Sequence, residues 1–339
     1  MATVTILGAG DMGTAITTPV VSNGHDVRLW GTHLDDGIVD VLSAGGAHPR
    51  LGVPVRPGVR VYHSSEWQQA LDGADIVLFG VTSVGSRVVC AVSEPALPAV
   101  PVVMTVAKGF DPGRSGRDIL MLPAVINEFT DAPVIGVGGP SKANEVARGI
   151  PTAITFGGQL EAAEFAASTF ATATYDVEVT DDLVGVEIAA AMKTAYAISL
   201  AIADGLEQVS GVPHHNLRAA LFPRAVEEMG LLAEALGGRR ETVAGRPGSG
   251  DLQVTITSGR NRMLGERIGA GESGPQAAST LRDAGITVEG YDALGFGYRL
   301  AQGLKDPRTG EALDLPLLRA LHAILHDGAP ALETVWAAV

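Results

Sequence analysis

The feature that most constrains this chain is its opening: an apolar run Val4–Leu7, then Gly8-Ala9-Gly10-Asp11-Met12-Gly13, then a helical pattern from about Met12 to Asn23. In a strand that enters a helix through a G-x-G-x-x-G turn, each glycine has its own task. The first permits the tight turn, the second lets the backbone approach a pyrophosphate, and the third lets helix pack closely on strand. The helix N-terminus then offers unpaired amides and a positive dipole end to phosphate. The plain alternative is a Gly-rich turn in an unrelated α/β fold. The strand–turn–helix context favours a dinucleotide site on Gly8, Gly10, Asp11, Met12 and Gly13.

The pattern continues downstream. Asp26–Trp30 reads as a second strand after the Asn23-Gly24 turn, and Ala74–Phe79 as a third, preceded by a helix near Glu66–Leu71. Val100–Thr105, Pro133–Gly138 and Thr152–Phe156 follow as further strands, while Ala47–Tyr62, rich in Pro, Gly and Arg, reads as a connecting loop. Continuous apolar strands separated by helices imply a parallel sheet covered on both faces. From Asp181 onward helical patterns dominate: Leu183–Val209, Asn216–Leu236, Arg262–Gly269, Gly274–Asp283, Gly290–Gln302 and Pro316–Leu325, with the Gly-rich stretch Gly245–Gly250 as an interruption. The sequence therefore predicts an α/β N-terminal Rossmann domain with a doubly wound, mostly parallel sheet over residues 1–180. An all-α C-terminal domain is expected over residues 181–339. No membrane span is expected: Ala189–Ala203 is apolar, but Lys193 interrupts it and its length suits a buried core helix.

Composition narrows the partners. A net charge of -14 disfavours nucleic acid, which needs a clustered positive surface, yet leaves room for a phosphorylated small molecule held by a few local donors. The single cysteine, Cys90, rules out an intramolecular disulfide and a multi-cysteine metal site, and no metal is expected. The start MATVTILGAG lacks a basic leader, so a cytoplasmic location is expected.

Several residues stand out as candidates for chemistry. Lys193, six residues after Glu187 and set among alanines, is expected to be buried by its helix neighbours. Burial disfavours the ammonium and suits a proton donor and acceptor in carbonyl reduction. The competing reading is a lysine that snorkels or pairs structurally with a carboxylate. Asp251 follows the Gly-rich turn and could orient or charge-balance such a lysine. Arg260 and Asn261 sit at a helix start suited to phosphate, although a helix cap beside a solvated arginine has the same spacing. Lys108-Gly109 and Gly139-Pro140-Ser141-Lys142-Ala143 each follow a sheet strand, where ligands collect in doubly wound folds. At the end of the second strand stands Trp30-Gly31-Thr32-His33, with the acids Asp35 and Asp36 only later. No carboxylate at that point would repel a 2′-phosphate, and Thr32 and His33 could donate to one. This favours NADP(H) over NAD(H), with His33 equally readable as a solvated loop residue.

Taken in order, GAGDMGTA, the RLW strand end, Lys108-Gly109, GPSKANEVARGIPTA, the Glu187–Lys193 spacing, GDLQVTITSGRNR and VEGY at Val288–Tyr291 resemble the NAD(P)-dependent glycerol-3-phosphate dehydrogenase family. VRLWGTHLDD, HPRLGV and RNRMLGE look most like its archaeal-type branch. The resemblance implies reversible reduction of dihydroxyacetone phosphate to sn-glycerol 3-phosphate, with the active site in the cleft between two domains. By position it makes Lys193 the general acid/base on the C2 oxygen, with Lys108 and Asp251 beside it and Lys108 also polarising that oxygen. Gly139, Ser141, Thr194, Thr255, Arg260 and Asn261 would receive substrate, Asn261 on its phosphate. Trp30, Thr32, His33, Lys108, Ala143, Arg260 and Glu289 would meet the coenzyme, and a homodimer is the assembly carried into the reading. Departures from the family pattern lie at Thr194, usually asparagine, Lys142, usually hydrophobic, Met12, usually aromatic, and Thr32, usually arginine. Thr194 and Lys142 point to a different polyol or ketose phosphate as the alternative substrate. A cofactor-binding regulator without turnover is the reading from another class; it leaves the lysines, Asp251, Arg260 and Asn261 unexplained.

Overall fold

The computed structural model describes residues 1–116 and 118–339, and the chain divides into two compact units, Met1–Leu183 and Val184–Val339. The first unit runs β1 (Thr3–Leu7), α1 (Asp11–Ser22), β2 (Asp26–Trp30), α2 (Asp36–Ser43), β3 (Val59–Tyr62), α3 (Trp67–Leu71), β4 (Ile76–Phe79), α4 (Ser83–Ser93) and β5 (Val102–Thr105). A short hairpin of β6 (Phe110–Asp111) and β7 (Leu120–Met121) follows, then α5 (Leu122–Ile126), β8 (Val134–Gly138), α6 (Ala143–Val146), β9 (Thr152–Gly157), α7 (Leu160–Phe170) and β10 (Tyr175–Thr180). Eight strands form one sheet in the order β10-β9-β8-β5-β4-β1-β2-β3. All pairings are parallel except β8 with β9.

The burial of this sheet follows from strand periodicity. Ile76 and Leu78 of β4 join a core on one face with Ile6, Leu29, Met104 and Ile135, whereas Val77 and Phe79 join Leu7, Val103 and Cys90 on the other. A strand covered on both faces can be apolar at every position, which is why β4 and β5 were legible as continuous runs. Four strands were not. β3 lies in the stretch read as a loop: it is a half-buried edge strand, paired to β2 from Val27↔Val59 to Trp30↔Tyr62, and too short to stand out beside prolines and glycines. β10 alternates apolar and polar residues at the far edge, and the two-residue strands of the hairpin carry no periodic signal.

The second unit is helical: α8 (Leu183–Ser210), α9 (His215–Ala235), α10 (Arg240–Ala244), α11 (Asp251–Thr255), α12 (Arg260–Gly269), α13 (Gly274–Asp283), α14 (Glu289–Ala301), α15 (Pro316–Asp327) and α16 (Ala331–Trp336). α8 is long and apolar enough to cross a membrane, its most apolar window having a mean hydropathy of 1.4, but that window is entirely buried inside the fold, as expected of a core helix. Small residues let α12 cross α8 backbone to backbone. A Cβ on Gly265 would fall 2.5 Å from Ala201 Cβ, and one on Gly205 or Gly269 would enter a carbonyl oxygen of the facing helix. Glu228 of α9 fixes a second junction, accepting from the Leu317 and Leu318 amides at the start of α15 (2.6 and 2.9 Å) and from Tyr196 Oη of α8 (3.0 Å). The Gly-rich stretch is no flexible interruption. Arg246–Gly250 is a π-helical turn that runs straight into α11, and Ser249 Oγ donates to the Ala244 and Gly245 carbonyls at 2.5 and 2.9 Å.

Candidate active site

In the first unit the Gly-rich turn leaves the carboxyl end of β1, with β2 on one side and β4 on the other. This is the point where chain connections diverge and a doubly wound sheet opens a crevice. Gly8 has φ +109°, and a Cβ there would lie 2.7 Å from Val81. A Cβ on Gly13 would strike the Gly8 carbonyl oxygen, so α1 can pack against β1 only with glycine at that position. At Gly10 a Cβ would meet nothing within 4 Å, leaving the helix N-terminus open on that side. The three glycines thus have the distinct surroundings that a pyrophosphate cradle requires.

The end of β2 differs from expectation. Asp35 turns its carboxylate back, and Oδ2 accepts from Thr32 N (3.0 Å), Thr32 Oγ1 (2.8 Å) and Ala9 N (3.3 Å). In sequence Asp35 lies beyond the strand end, but α2 begins only at Asp36, so the intervening turn carries Asp35 back to it. Thr32 therefore spends its hydroxyl proton on Asp35, which sets a carboxylate at the strand end and leaves His33 as the donor of that pair for a 2′-phosphate. Trp30 is interior, with its Nε1 donating to Ser64 O (3.2 Å), whereas His33 is exposed.

Further along the same sheet edge, Lys108 and Gly109 lie between β5 and β6. Gly109 has φ +133°, and a Cβ there would crowd Ser83 at 3.2 Å. The segment after Lys108 is fixed by Arg87 of α4, which bonds both oxygens of Asp111 (2.9 and 3.3 Å) and both of Glu128 (2.7 and 3.0 Å). Arg87 and Arg114 hold the Glu128 carboxyl down at about 2, and Arg87 is itself raised by its two acids. Gly139 leaves β8 with φ +127°, its Cβ position 3.0 Å from Ile154 Cα. Ser141 and Lys142 follow half-buried, and Ala143 opens α6.

In the second unit, Lys193 of α8 is buried and its Nζ pairs directly with Asp251 Oδ1 of α11; the two side chains are 6% and 2% exposed. Lys193 Nζ also donates to Thr255 Oγ1 (3.0 Å), one turn further along α11, whose hydroxyl in turn donates to the Asp251 carbonyl (2.7 Å). The π turn ahead of α11 sets that helix so that its i and i+4 side chains both face the amine. A carboxylate in contact stabilises the ammonium where desolvation alone would oppose it. Next in the chain, Thr194 donates its hydroxyl to Ala191 O (2.7 Å), so that proton serves the helix. The carbonyl of Thr194 abuts Gly290, where a Cβ would clash, and the Gly290 amide donates to Asn261 Oδ1 (2.9 Å). Asn261 follows Arg260 at the open start of α12, and Arg260 Nη2 pairs with Glu289 Oε1 at 2.9 Å. The second unit thus gathers Lys193, Thr194, Asp251, Thr255, Arg260, Asn261 and Glu289 into one connected set.

Residues 3–164 match the family described as NAD-dependent glycerol-3-phosphate dehydrogenase N-terminus, and residues 182–335 match the corresponding C-terminus. The chain belongs to the NAD-dependent glycerol-3-phosphate dehydrogenase family. It is 36% identical to the NADP(+)-dependent glycerol-3-phosphate dehydrogenase of Archaeoglobus fulgidus over 333 residues, covering 96% of this chain and 95% of that one. Identity to the glycerol-3-phosphate dehydrogenase [NAD(P)+] of Xanthomonas campestris is 34% over 330 residues, 95% and 90% of the two chains. Among solved structures, a glycerol-3-phosphate dehydrogenase from Coxiella burnetii superposes with TM-score 0.81 at 29% identity, covering 99% and 98%.

Two buried acids give this dehydrogenase family member a pH-dependent stability. Burial pushes Glu187 up to about 8, and it has no hydrogen-bond partner among the described residues. Burial pushes Glu228 up to about 7, outweighing the two amides and the Tyr196 hydroxyl that favour its anion. Both values lie above 4.5, so the folded protein keeps protons that the unfolded chain releases. Their contribution is complete below 4.5 and is lost as pH rises through 7 and 8. Thermal unfolding across that range should show Tm falling with pH. Glu187→Gln should flatten the upper part of the curve, and parallel curves for variant and wild type would contradict the assignment.

Proposed function

We propose that this chain interconverts dihydroxyacetone phosphate and sn-glycerol 3-phosphate with NADP(H) or NAD(H), residues 1–180 binding coenzyme and residues 181–339 supplying the proton and the phosphate site. The observation that carries this reading is Lys193, a buried ammonium fixed by Asp251 and Thr255, one residue from the Thr194 backbone on which the Arg260–Asn261 turn is braced. The activities named for the Archaeoglobus and Xanthomonas relatives support it.

The Gly-rich turn fits a dinucleotide, with Gly10 open to solvent and the α1 amides beside it. When bound, the nicotinamide supplies the hydride that reaches C2. Lys193 donates the proton to the C2 oxygen and takes it back in the reverse direction, with Asp251 holding the ammonium and Thr255 aiming it. Lys108 polarises the same oxygen, and Gly139 and Ser141 line the substrate pocket. Arg260 and Asn261 bind phosphate at the α12 N-terminus through guanidinium and amide donors added to the helix dipole. Glu289 orients Arg260 and meets the coenzyme, as do Ala143 and His33.

A second reading keeps the chemistry and enlarges the substrate. Thr194 has its proton committed to Ala191, so a substrate hydroxyl finds only an acceptor there. Coenzyme oxidation across three- to six-carbon ketose phosphates, run with NADH and NADPH, tests both readings. Strong preference for dihydroxyacetone phosphate is the expected result. A longer ketose phosphate turning over faster would replace the substrate, and no oxidation with any of them would end the proposal.

A further inference from the structure

The peptide at Ala9, in the middle of the Gly-rich turn, is held at both ends by residues outside the turn. Its N–H donates to Asp35 Oδ2 (3.3 Å), and its carbonyl accepts from Thr14 Oγ1 (3.1 Å) and lies 3.2 Å from Nε2 of His48. His48 belongs to the loop between α2 and β3 and is fully buried. Its Nδ1 accepts the backbone amides of Arg50 (3.2 Å) and Leu51 (3.3 Å), so the ring proton sits on Nε2 and is donated to Ala9 O. The loop is anchored beyond His48 as well. Leu51 is buried in the sheet core, its carbonyl accepts from Arg148 Nη2 (2.8 Å), and Arg50 Nε reaches Asp11 Oδ1 (2.7 Å) at the first position of α1. Asp35, at the N-cap position of α2, does not cap its own helix; its carboxylate goes to Ala9 and Thr32.

From these contacts we infer that His48 and Asp35 are positioning residues of the coenzyme site: a polar clamp that fixes the Ala9 peptide so the turn is already in its phosphate-binding shape. The inference rests on the dinucleotide reading of that turn. A glycine-rich segment is the part of the chain with most conformational freedom, and binding must meet the cost of ordering whatever is left loose. Arg50 adds charge compensation, because Asp11 places a carboxylate at the helix end where phosphate would sit.

Two variants of one residue separate this role from simple structural support. His48→Asn keeps an acceptor near Nδ1 for the Arg50 and Leu51 amides but is too short to reach Ala9. His48→Gln places an amide N–H near the Nε2 position and loses the acceptor. With Tm read alongside, His48→Asn should raise the Kd and KM for NADPH and NADH about tenfold, with kcat at saturating coenzyme moving far less. His48→Gln should recover most of that affinity even if its Tm is the lower of the two. Asp35→Ala should weaken coenzyme binding in the same direction. Affinity that follows Tm across the variants, or is unchanged in His48→Asn and Asp35→Ala, would overturn the clamp while leaving the coenzyme reading intact. Wild-type protein that bound neither coenzyme would overturn that reading and the clamp with it.

Discussion

Replacing Lys193 by methionine should lower kcat by about 10³- to 10⁴-fold while the Kd for coenzyme stays within about twofold. Transfer of hydride to a ketone leaves an alkoxide unless a proton arrives with it, and the buried ammonium of Lys193 is the proposed donor. Methionine keeps the volume and the helix of α8 but supplies no proton. It also strips Asp251, 2% exposed, of its cation, and an uncompensated buried carboxylate costs about 3–5 kcal/mol. Lower activity in the single variant could therefore reflect a damaged fold. The double variant Lys193→Met, Asp251→Leu resolves the ambiguity by removing both charges, and should regain most of the Tm while remaining inactive. Recovery of turnover together with stability would show that the lysine serves the fold and not the proton.

How much of this was legible beforehand depended on whether a residue acts through its own neighbourhood in sequence. The Gly8–Gly13 turn could be read directly, because each glycine answers a local constraint of one strand meeting one helix. Lys193 was also legible: a lone cation in a run of alanines has few places to go except inward. The carboxylate at the end of β2 was not. Asp35 lies past the end of β2 in sequence, and only the fold of the intervening turn brings its carboxylate to Thr32 and Ala9. His48 lies in the stretch Ala47–Tyr62, whose prolines and glycines read as a connecting loop, although HPRLGV resembles a segment of the family. No period or spacing rule links residue 48 to residue 9; the contact exists because β3 pairs with β2 and draws the loop back over the sheet edge. The π turn before Asp251 is hidden in the sequence for the opposite reason. Glycines and a proline signal loops on average, whereas here they let a wide helical turn close with Ser249 supplying the extra donor.

For the phosphate site, Arg260→Gln should lower kcat/KM for dihydroxyacetone phosphate by about 10²- to 10³-fold and change it less than about threefold for unphosphorylated dihydroxyacetone. The contrast between substrates carries the information. Among the described residues this guanidinium pairs with Glu289, where the side chains are 49% and 42% exposed, and such a pair contributes about 0–1 kcal/mol to stability. Loss of fold therefore cannot account for a large effect, and Tm should barely move. Asn261 would give a less decisive result, because its Oδ1 also accepts the Gly290 amide and its removal disturbs the brace against Thr194. If Arg260 reads phosphate, its substitution erases the preference for the phosphorylated substrate and leaves Lys193 chemistry in place, so the residual rate on both substrates converges. A parallel loss on both would instead place Arg260 with the coenzyme or the reacting oxygen. Since α12 is locked to α8 by glycines that admit no side chain, the distance from phosphate turn to ammonium is set by backbone packing. With Arg260 on the phosphate and Lys193 on the C2 oxygen, as proposed, that fixed separation would select substrate length, so enlarging the pocket at Thr194 alone should not convert the enzyme to longer ketose phosphates.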